Sequence, residues 1–532
     1  MRQAVPAAFS AADWRRQQWG PNLGQVSAEN PPVNVGRGQT RKSDACPRFV
    51  LFRFVCLVRL PLLCLICQGR TDLAVSPKAL EISRPLFSSL TLRSQPSAKH
   101  SSRRQPATAK MRLLLSTLAL LAATGARGAV VEPRTVSYDG YKVFRVAVGD
   151  QVDRVNALVS DLSLATWKGA PRSNAMADIV VAPGQLDQFR ARTTGLDMIT
   201  MHEDLGAAIT EESSFGLYAA GSANSTWFQS YHAYAEHQQW LKDVQAAFPK
   251  NTALVSAGKS LEGRDLAAIH IFGSAGKGTK PAVVFHGTVH AREWVSTMTV
   301  EYLAWTLASG YGSSAEITAF VDKYDFYIFP VVNPDGFSYS QTNDRLWRKN
   351  RQSTGGSSCR GHDINRNWDY KWNVRGGAST NPCAEDFKGA APADAPETRA
   401  LASWLASIKQ AQGLKLFIDF HSYSQLFMTP YGWSCTEQPE RGTELVALAK
   451  GAVAAIQKVH GTVYEAGPIC TTIYQATGSS VDYVNDVVKA DYTFTEELRD
   501  TGNYGFLLPA SQIVPTAEET FAGVRYLLQN MK

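Results

Sequence analysis

Four apolar, strand-like runs set the limits on what this chain can become: Pro281–Gly287, Phe326–Asn333, Leu416–His421 and Tyr492–Glu497. Short apolar runs of this kind read as buried strands. Strands alternating with helical segments, as they do after Trp227, give an α/β layer structure. Each run closes on polar or charged residues. In open α/β sheets the active site lies beyond the carboxyl ends of the strands, so these closing residues are where chemistry is expected.

The segment before them has a smaller pattern. Tyr141–Val148 predicts a strand, and Gln151–Leu162 a helix with Val152, Val155, Leu158, Val159 and Leu162 on one face. Ala177–Ala182 predicts a second strand, broken by Pro183-Gly184. A short helix near Gln185–Ala191 and a strand near Asp197–His202 complete a small α+β module. Glu211–Ser225 is polar and small and reads as an accessible linker. At its end, Asn224-Ser225-Thr226 is a glycosylation sequon, usable on a secreted chain.

Charge divides the 532 residues unevenly. The net charge of +7 rests on 54 basic and 47 acidic residues, but residues 1–110 hold 17 of the basic and 5 of the acidic ones. The remainder has 37 basic and 42 acidic residues, so a nucleic-acid partner is not expected. Residues 1–110 are expected to be a basic extension of low order, lying upstream of the working protein in the gene model. The apolar patch Phe49–Cys67 within it is interrupted by Arg53, Arg59 and Pro61, so no stable membrane association is expected. From Met111, one Arg, an apolar stretch over Leu113–Ala123 and small residues to Gly128 have the form of a secretory signal peptide. Secretion would let the late cysteines Cys359, Cys383, Cys435 and Cys470 oxidise.

The chemistry-bearing residues follow the strands. After the first run stands His290-Ala291-Arg292-Glu293, where a strand-to-helix turn lets His290 and Glu293 face one point. His286 and His290 are four apart, but Gly287 stands where a zincin-type helix needs Glu, so His286 reads as a strand-end histidine satisfied by hydrogen bonds. His421 closes the third run. Two imidazoles and a carboxylate make an open zinc site with a position left for water. Arg345-Leu346-Trp347-Arg348, Asp363-Ile364-Asn365-Arg366, Ile473-Tyr474-Gln475 and Thr495-Glu496-Glu497-Leu498-Arg499-Asp500 complete the set. Taken singly, each of these has a bland reading as surface charge or core aromatic.

Together, and in this order, these residues resemble the pancreatic carboxypeptidase A/B family of secreted zinc metallocarboxypeptidases, made as zymogens. The His2Glu ligand set is the one known from carboxypeptidase A. The resemblance covers the chain from about Trp227 to the C-terminus, and more loosely the module before it. It implies a mixed, mainly parallel twisted sheet with helices on both faces, preceded by a small ferredoxin-like α+β pro-segment. The expected organisation is an extension over residues 1–110, a signal over 111–128, a pro-segment over 129–215, a cleavable linker over 216–226 and a catalytic domain over 227–532.

The resemblance also implies roles. His290, Glu293 and His421 would hold one zinc ion, and Asp363 would accept from His290 and orient it. Glu497 would be the general base, and Arg348 would stabilise the oxyanion. Glu496 stands where the family commonly has an apolar residue; neighbours on a strand point to opposite faces, so only one of the pair can reach the site. Asn365, Arg366 and Tyr474 would bind the terminal carboxylate of the substrate, and Arg292 would serve an accessory subsite. Val481 falls where the basic-specific branch carries Asp. Ile469, Ala476, Thr495 and Gly432 would line the same uncharged pocket with Met428 beside it, which favours aromatic and large aliphatic C-terminal residues. Asp482 is expected to lie outside the pocket floor. The resemblance pairs Cys359 with Cys383 and Cys435 with Cys470.

The partners implied are peptide C-termini and an activating endoprotease, with the protein a monomer. A catalytically dead relative used as a binding module would lack a ligand or the base, and His290, Glu293, His421, Arg348 and Glu497 are all present. Intracellular tubulin-trimming relatives lack the signal and pro-segment.

Overall fold

The computed structural model describes residues 135–532 apart from residue 217. The N-terminal extension, the signal peptide and the first residues of the expected pro-segment lie outside the described residues.

The first module is a four-stranded antiparallel sheet in the order β2-β3-β1-β4. Its strands are β1 (Lys142–Ala147), β2 (Ala165–Thr166), β3 (Met176–Val181) and β4 (Met198–His202). Helices α1 (Val152–Asp161), α2 (Leu186–Arg192) and α3 (Leu205–Glu212) are interleaved with them. The period of two sorts the strand residues by face. Phe144, Val146, Ile179 and Val181 pack with Val155, Leu158 and Phe189 of the helices. Val143 and Val180 turn the other way and pack with Leu346, Tyr423, Phe506 and Leu507 of the following domain. Both faces are therefore buried, one against the module's own helices and one against its neighbour. Asp204 caps α3 by accepting from Ala207 N at 3.0 Å. The helix ends in Glu212, which is buried against Arg345 at 2.5 and 2.9 Å. Beyond it, Ala219–Ser222 and Asn224–Thr226 are exposed.

The second domain is built on an eight-stranded sheet in the order β11-β10-β12-β9-β7-β8-β6-β5. The strands are β5 (Thr252–Lys259), β6 (Asp265–Ile271), β7 (Ala282–Gly287), β8 (Asp325–Phe329), β9 (Leu414–His421), β10 (Leu426–Thr429), β11 (Glu465–Pro468) and β12 (Tyr492–Glu497). The sheet is mixed, and its central run β12-β9-β7-β8 is parallel throughout. Helices α4 (Tyr234–Ala247), α5 (Trp294–Gly310), α6 (Ala315–Lys323), α7 (Pro334–Thr342), α8 (Pro396–Gln412), α9 (Gly442–His460), α10 (Ile469–Thr472), α11 (Ser480–Tyr483) and α12 (Ile513–Asn530) surround it. One face packs Leu416, Ile418 and Phe420 of β9 against α5, α9 and α12. The other packs Phe417 with Leu401 and Leu405 of α8 and Val481 of α11. Helix α5 is buried almost all round, as its apolar sequence requires.

The run expected over Phe326–Asn333 is strand only to Phe329. Pro330 has no N–H to continue the ladder, and Asn333 caps α7 by accepting from Gly336 N at 3.1 Å. The bonded cysteine pairs are Cys359–Cys383 and Cys435–Cys470, closing sequence separations of 24 and 35 residues. By loop entropy each contributes about 3–4 kcal/mol.

The two glutamates ending β12 face opposite ways. Glu496 is wholly buried against α12, where its Oε1 accepts from Thr520 Oγ1 at 3.0 Å and its Oε2 has no partner in the protein. Burial, with the nearby charge of Glu519, pushes its carboxyl up to about 8. The folded chain then holds a proton that the unfolded chain loses above the ordinary carboxylic range. Stability attributable to this group falls as pH rises from the unfolded pKa towards 8 and is flat above it. The loss is of the order of 5 kcal/mol across that window. Glu496→Gln is expected to melt close to the wild type at pH 4.5 and several degrees higher at pH 8.5, read by differential scanning calorimetry. Equal melting temperatures at pH 8.5 would rule out the buried-acid reading.

Candidate active site

The carboxyl ends of β7, β9 and β12 lie side by side along one edge of the parallel run, with Glu497 in register with His421. Beyond β7 the chain turns at Thr288, a non-glycine residue with φ 55°. That turn is pinned by Thr288 N donating to Ser296 Oγ at 2.7 Å and Thr288 Oγ1 to Pro330 O at 2.9 Å. It delivers His290 and Glu293 to the mouth of the sheet, opposite His421.

These three buried side chains have ligand atoms within 4.8 Å of one another. His290 Nδ1 lies 2.7 Å from Glu293 Oε1, and His421 Nδ1 lies 3.1 Å from Glu293 Oε2 and 3.1 Å from His290 Nδ1. Burial alone would raise the Glu293 carboxyl, but the His290 and His421 imidazoles outweigh it and hold it well below the usual range. Two imidazole Nδ1 atoms facing each other at 3.1 Å need a cation or a proton between them. The N2O donor set fits zinc with a coordination position to spare. His290 Nε2 reaches back to Asp363 Oδ1 at 3.1 Å, and Asp363 Oδ2 accepts from Arg348 Nη2 at 2.8 Å.

Glu497 shares a cavity with His290, His421 and Arg348. Burial, and then the charge of Glu293, push its carboxyl up to about 7. Asn365, Arg366, Tyr474, Met428, Ile469, Ala476, Val481 and Thr495 line the same cavity. Arg366 is buried, and its Nε has no partner in the protein. Gly432 stands behind this wall, where a Cβ would come within 2.8 Å of Ala476 O. Asp482 is absent from the lining: it is buried and accepts from Gly432 N and Trp433 N at 3.0 Å. Arg292 lines not this cavity but the adjoining one, which shares Arg348, Arg366 and Tyr474 with it, and donates to Glu385 Oε2 at 2.9 Å and to Trp167 O at 3.1 Å.

The sequence reading missed Ser479, which also lines the cavity, and gave Ile473, another lining residue, no role of its own. It also missed the side chains that reach in from the first module. Lys168 donates to Ser424 Oγ at 3.0 Å, lies over the Tyr423 ring and is within electrostatic reach of Glu497. The Arg172 guanidinium sits 4.2 Å from the centre of the Tyr474 ring. Asp178 accepts from Arg145 at 2.6 and 2.7 Å and from the Tyr423 hydroxyl. None of these belongs to a motif, and each meets a partner more than 200 residues away except within the Arg145–Asp178 pair. His286, expected to be satisfied by hydrogen bonds, is instead buried with no partner on either ring nitrogen, between Phe329 and Phe417.

Comparison with known proteins agrees with this geometry. Residues 237–523 match the zinc carboxypeptidase family, and residues 144–212 match the carboxypeptidase activation peptide. Metallocarboxypeptidase A of Trichophyton tonsurans is 49% identical over 421 residues, covering 79% of this chain and 99% of the relative. Carboxypeptidase A4 of Mus musculus is 37% identical, covering 74% and 94%. Among solved structures, thrombin activatable fibrinolysis inhibitor superposes with a TM-score of 0.68 at 28% identity, covering 73% of this chain and 98% of that one. The carboxypeptidase A of Helicoverpa armigera gives 0.63 at 27% identity, covering 73% and 97%. With its peptidase domain and activation peptide both matched, this chain belongs to the zinc carboxypeptidase family and is an A-type metallocarboxypeptidase made as a zymogen.

Proposed function

We propose that the activated enzyme releases aromatic or large aliphatic residues from peptide C-termini, outside the cell. The observation that carries this reading is the cavity itself: an uncharged wall of Met428, Ile469, Ala476, Val481 and Thr495 beside the buried guanidinium of Arg366. A terminal Lys or Arg would be buried there without a counter-ion. Arg366, helped by Asn365 and Tyr474, pairs with the free terminal carboxylate. A mid-chain peptide offers no such group, which makes the enzyme an exopeptidase.

His290, Glu293 and His421 hold the zinc ion, which when bound supplies Lewis acidity to the scissile carbonyl and to water. Glu497 takes a proton from the attacking water and returns it to the leaving amine. Arg348, anchored on Asp363 through Nε and Nη2, presents its remaining N–H groups to the carbonyl oxygen as charge develops. Asp363 keeps His290 oriented.

Before activation, Trp167, Lys168 and Arg172 of the pro-segment stand over these groups. The cut falls in the exposed linker. Support for secretion comes from the two disulfides and the exposed sequon at Asn224. Among the described residues no helix is long and apolar enough to cross a membrane.

The test is digestion of a C-terminal peptide library by the activated enzyme, with and without a zinc chelator. Release of terminal Phe, Tyr and Leu is expected to exceed release of Arg and Lys by at least tenfold, and all release is expected to stop with the chelator and return with zinc. Faster release of terminal Arg than of terminal Phe would overturn the specificity.

A further inference from the structure

His290 and His421 both turn Nδ1 toward Glu293. A neutral imidazole that gives its Nδ1 lone pair to a metal carries its proton on Nε2, and that N–H needs an acceptor. His290 finds one in Asp363. His421 Nε2 has two polar neighbours at 3.2 Å: Asn365 Nδ2 and Asp419 Oδ2. The Asn365 amide is fixed by its other end, because Oδ1 accepts from Ser480 N at 2.9 Å. Its NH2 group therefore faces the ring, and an NH2 group only donates. The carboxylate is the acceptor that remains.

Asp419 is built into this place. It is wholly buried and lies two residues before His421 on β9, so the two side chains share a face of the sheet. Its Oδ2 also accepts from Ser480 Oγ, and Ser480 immediately precedes the pocket residue Val481. Its Oδ1 has no partner in the protein. On the neighbouring strand, the residue in register with it is His286.

We propose that Asp419 is a positioning residue for His421. It accepts the Nε2–H, fixes the tautomer that leaves Nδ1 free for the metal, and ties the ring through Ser480 to the wall of the substrate pocket. Asp419 thus does for His421 what Asp363 does for His290. The inference rests on the zinc-site reading given above.

The experiment is competition for zinc between the full-length zymogen and a chromogenic chelator, with no substrate present. Asp419→Leu removes the acceptor and is expected to weaken zinc binding about 10- to 100-fold. Asp419→Asn keeps a neutral acceptor and is expected to fall between Asp419→Leu and the wild type. Ser480→Ala, which leaves the carboxylate in place, is expected to stay within about twofold of the wild type. If Asp419→Leu does not fold, the Asn variant decides alone. Zinc affinity of Asp419→Asn within twofold of a zinc-binding wild type overturns the positioning role and leaves the ligand assignment standing. A wild type that takes up no zinc overturns the ligand assignment and this inference with it.

Discussion

Glu497→Gln is expected to lower kcat by about 10²- to 10⁴-fold while leaving the zinc content of the protein unchanged. The substitution is nearly isosteric, and Glu497 makes no hydrogen bond that positions a zinc ligand. What it removes is the ability to accept a proton from water beside the metal site. Burial, and then the charge of Glu293, raise the Glu497 carboxyl in the direction that a general base working near neutrality needs. Single-turnover hydrolysis of a terminal-Phe peptide, with zinc measured on the same sample, separates chemistry from metal loss. A variant retaining more than a tenth of wild-type kcat would falsify the assignment of Glu497 as the base.

Loss of the carboxylate clamp is expected to be nearly as large. Truncating one partner of a buried, hydrogen-bonded charge pair costs about 2–5 kcal/mol, which is roughly 30- to several thousand-fold in kcat/KM. Amidating the substrate C-terminus removes the clamp from one side, and Arg366→Gln removes it from the other. Wild-type enzyme is expected to refuse the amidated peptide. The variant is expected to be slow on both peptides and to discriminate between them poorly. Rapid release of a terminal residue amide by the wild type would show that something other than Arg366 defines the end of the chain.

Both experiments concern residues that the amino-acid sequence alone makes visible. His290, Glu293, His421 and Glu497 stand at the ends of strands whose apolar runs announce themselves, and the order of the motifs does the rest. Strands β1, β3 and β4 of the first module are legible to within a residue or two for the same reason: Phe144, Val146, Ile179 and Val181 keep the period of two that sets one face of a sheet against its helices. Helix α3 is hidden although Asp204 supplies its cap, because the Glu-rich end reads as linker once Arg345 is out of sight. β2 has two residues and no period to detect. Lys168 and Arg172 are illegible in a stricter sense. Their significance lies wholly in Ser424 and Tyr474, on elements far away in sequence, and no local pattern records such a meeting. Asp419 falls between these cases. Its spacing from His421 is that of two residues on one strand face, but only the direction of the His421 ring shows that the spacing is used.

The contacts of Glu212, Asp178 and Lys168 lie before the exposed linker, and their partners Arg345, Tyr423 and Ser424 lie after it. Cutting the linker changes the connectivity of the chain and none of these pairings. What it abolishes is the tether, which holds the two modules at an effective concentration in the millimolar range when the connection is short. Once cut, the pro-segment is expected to compete as a reversible inhibitor under mass action, so that the onset of activity would follow its dilution as well as the nick itself.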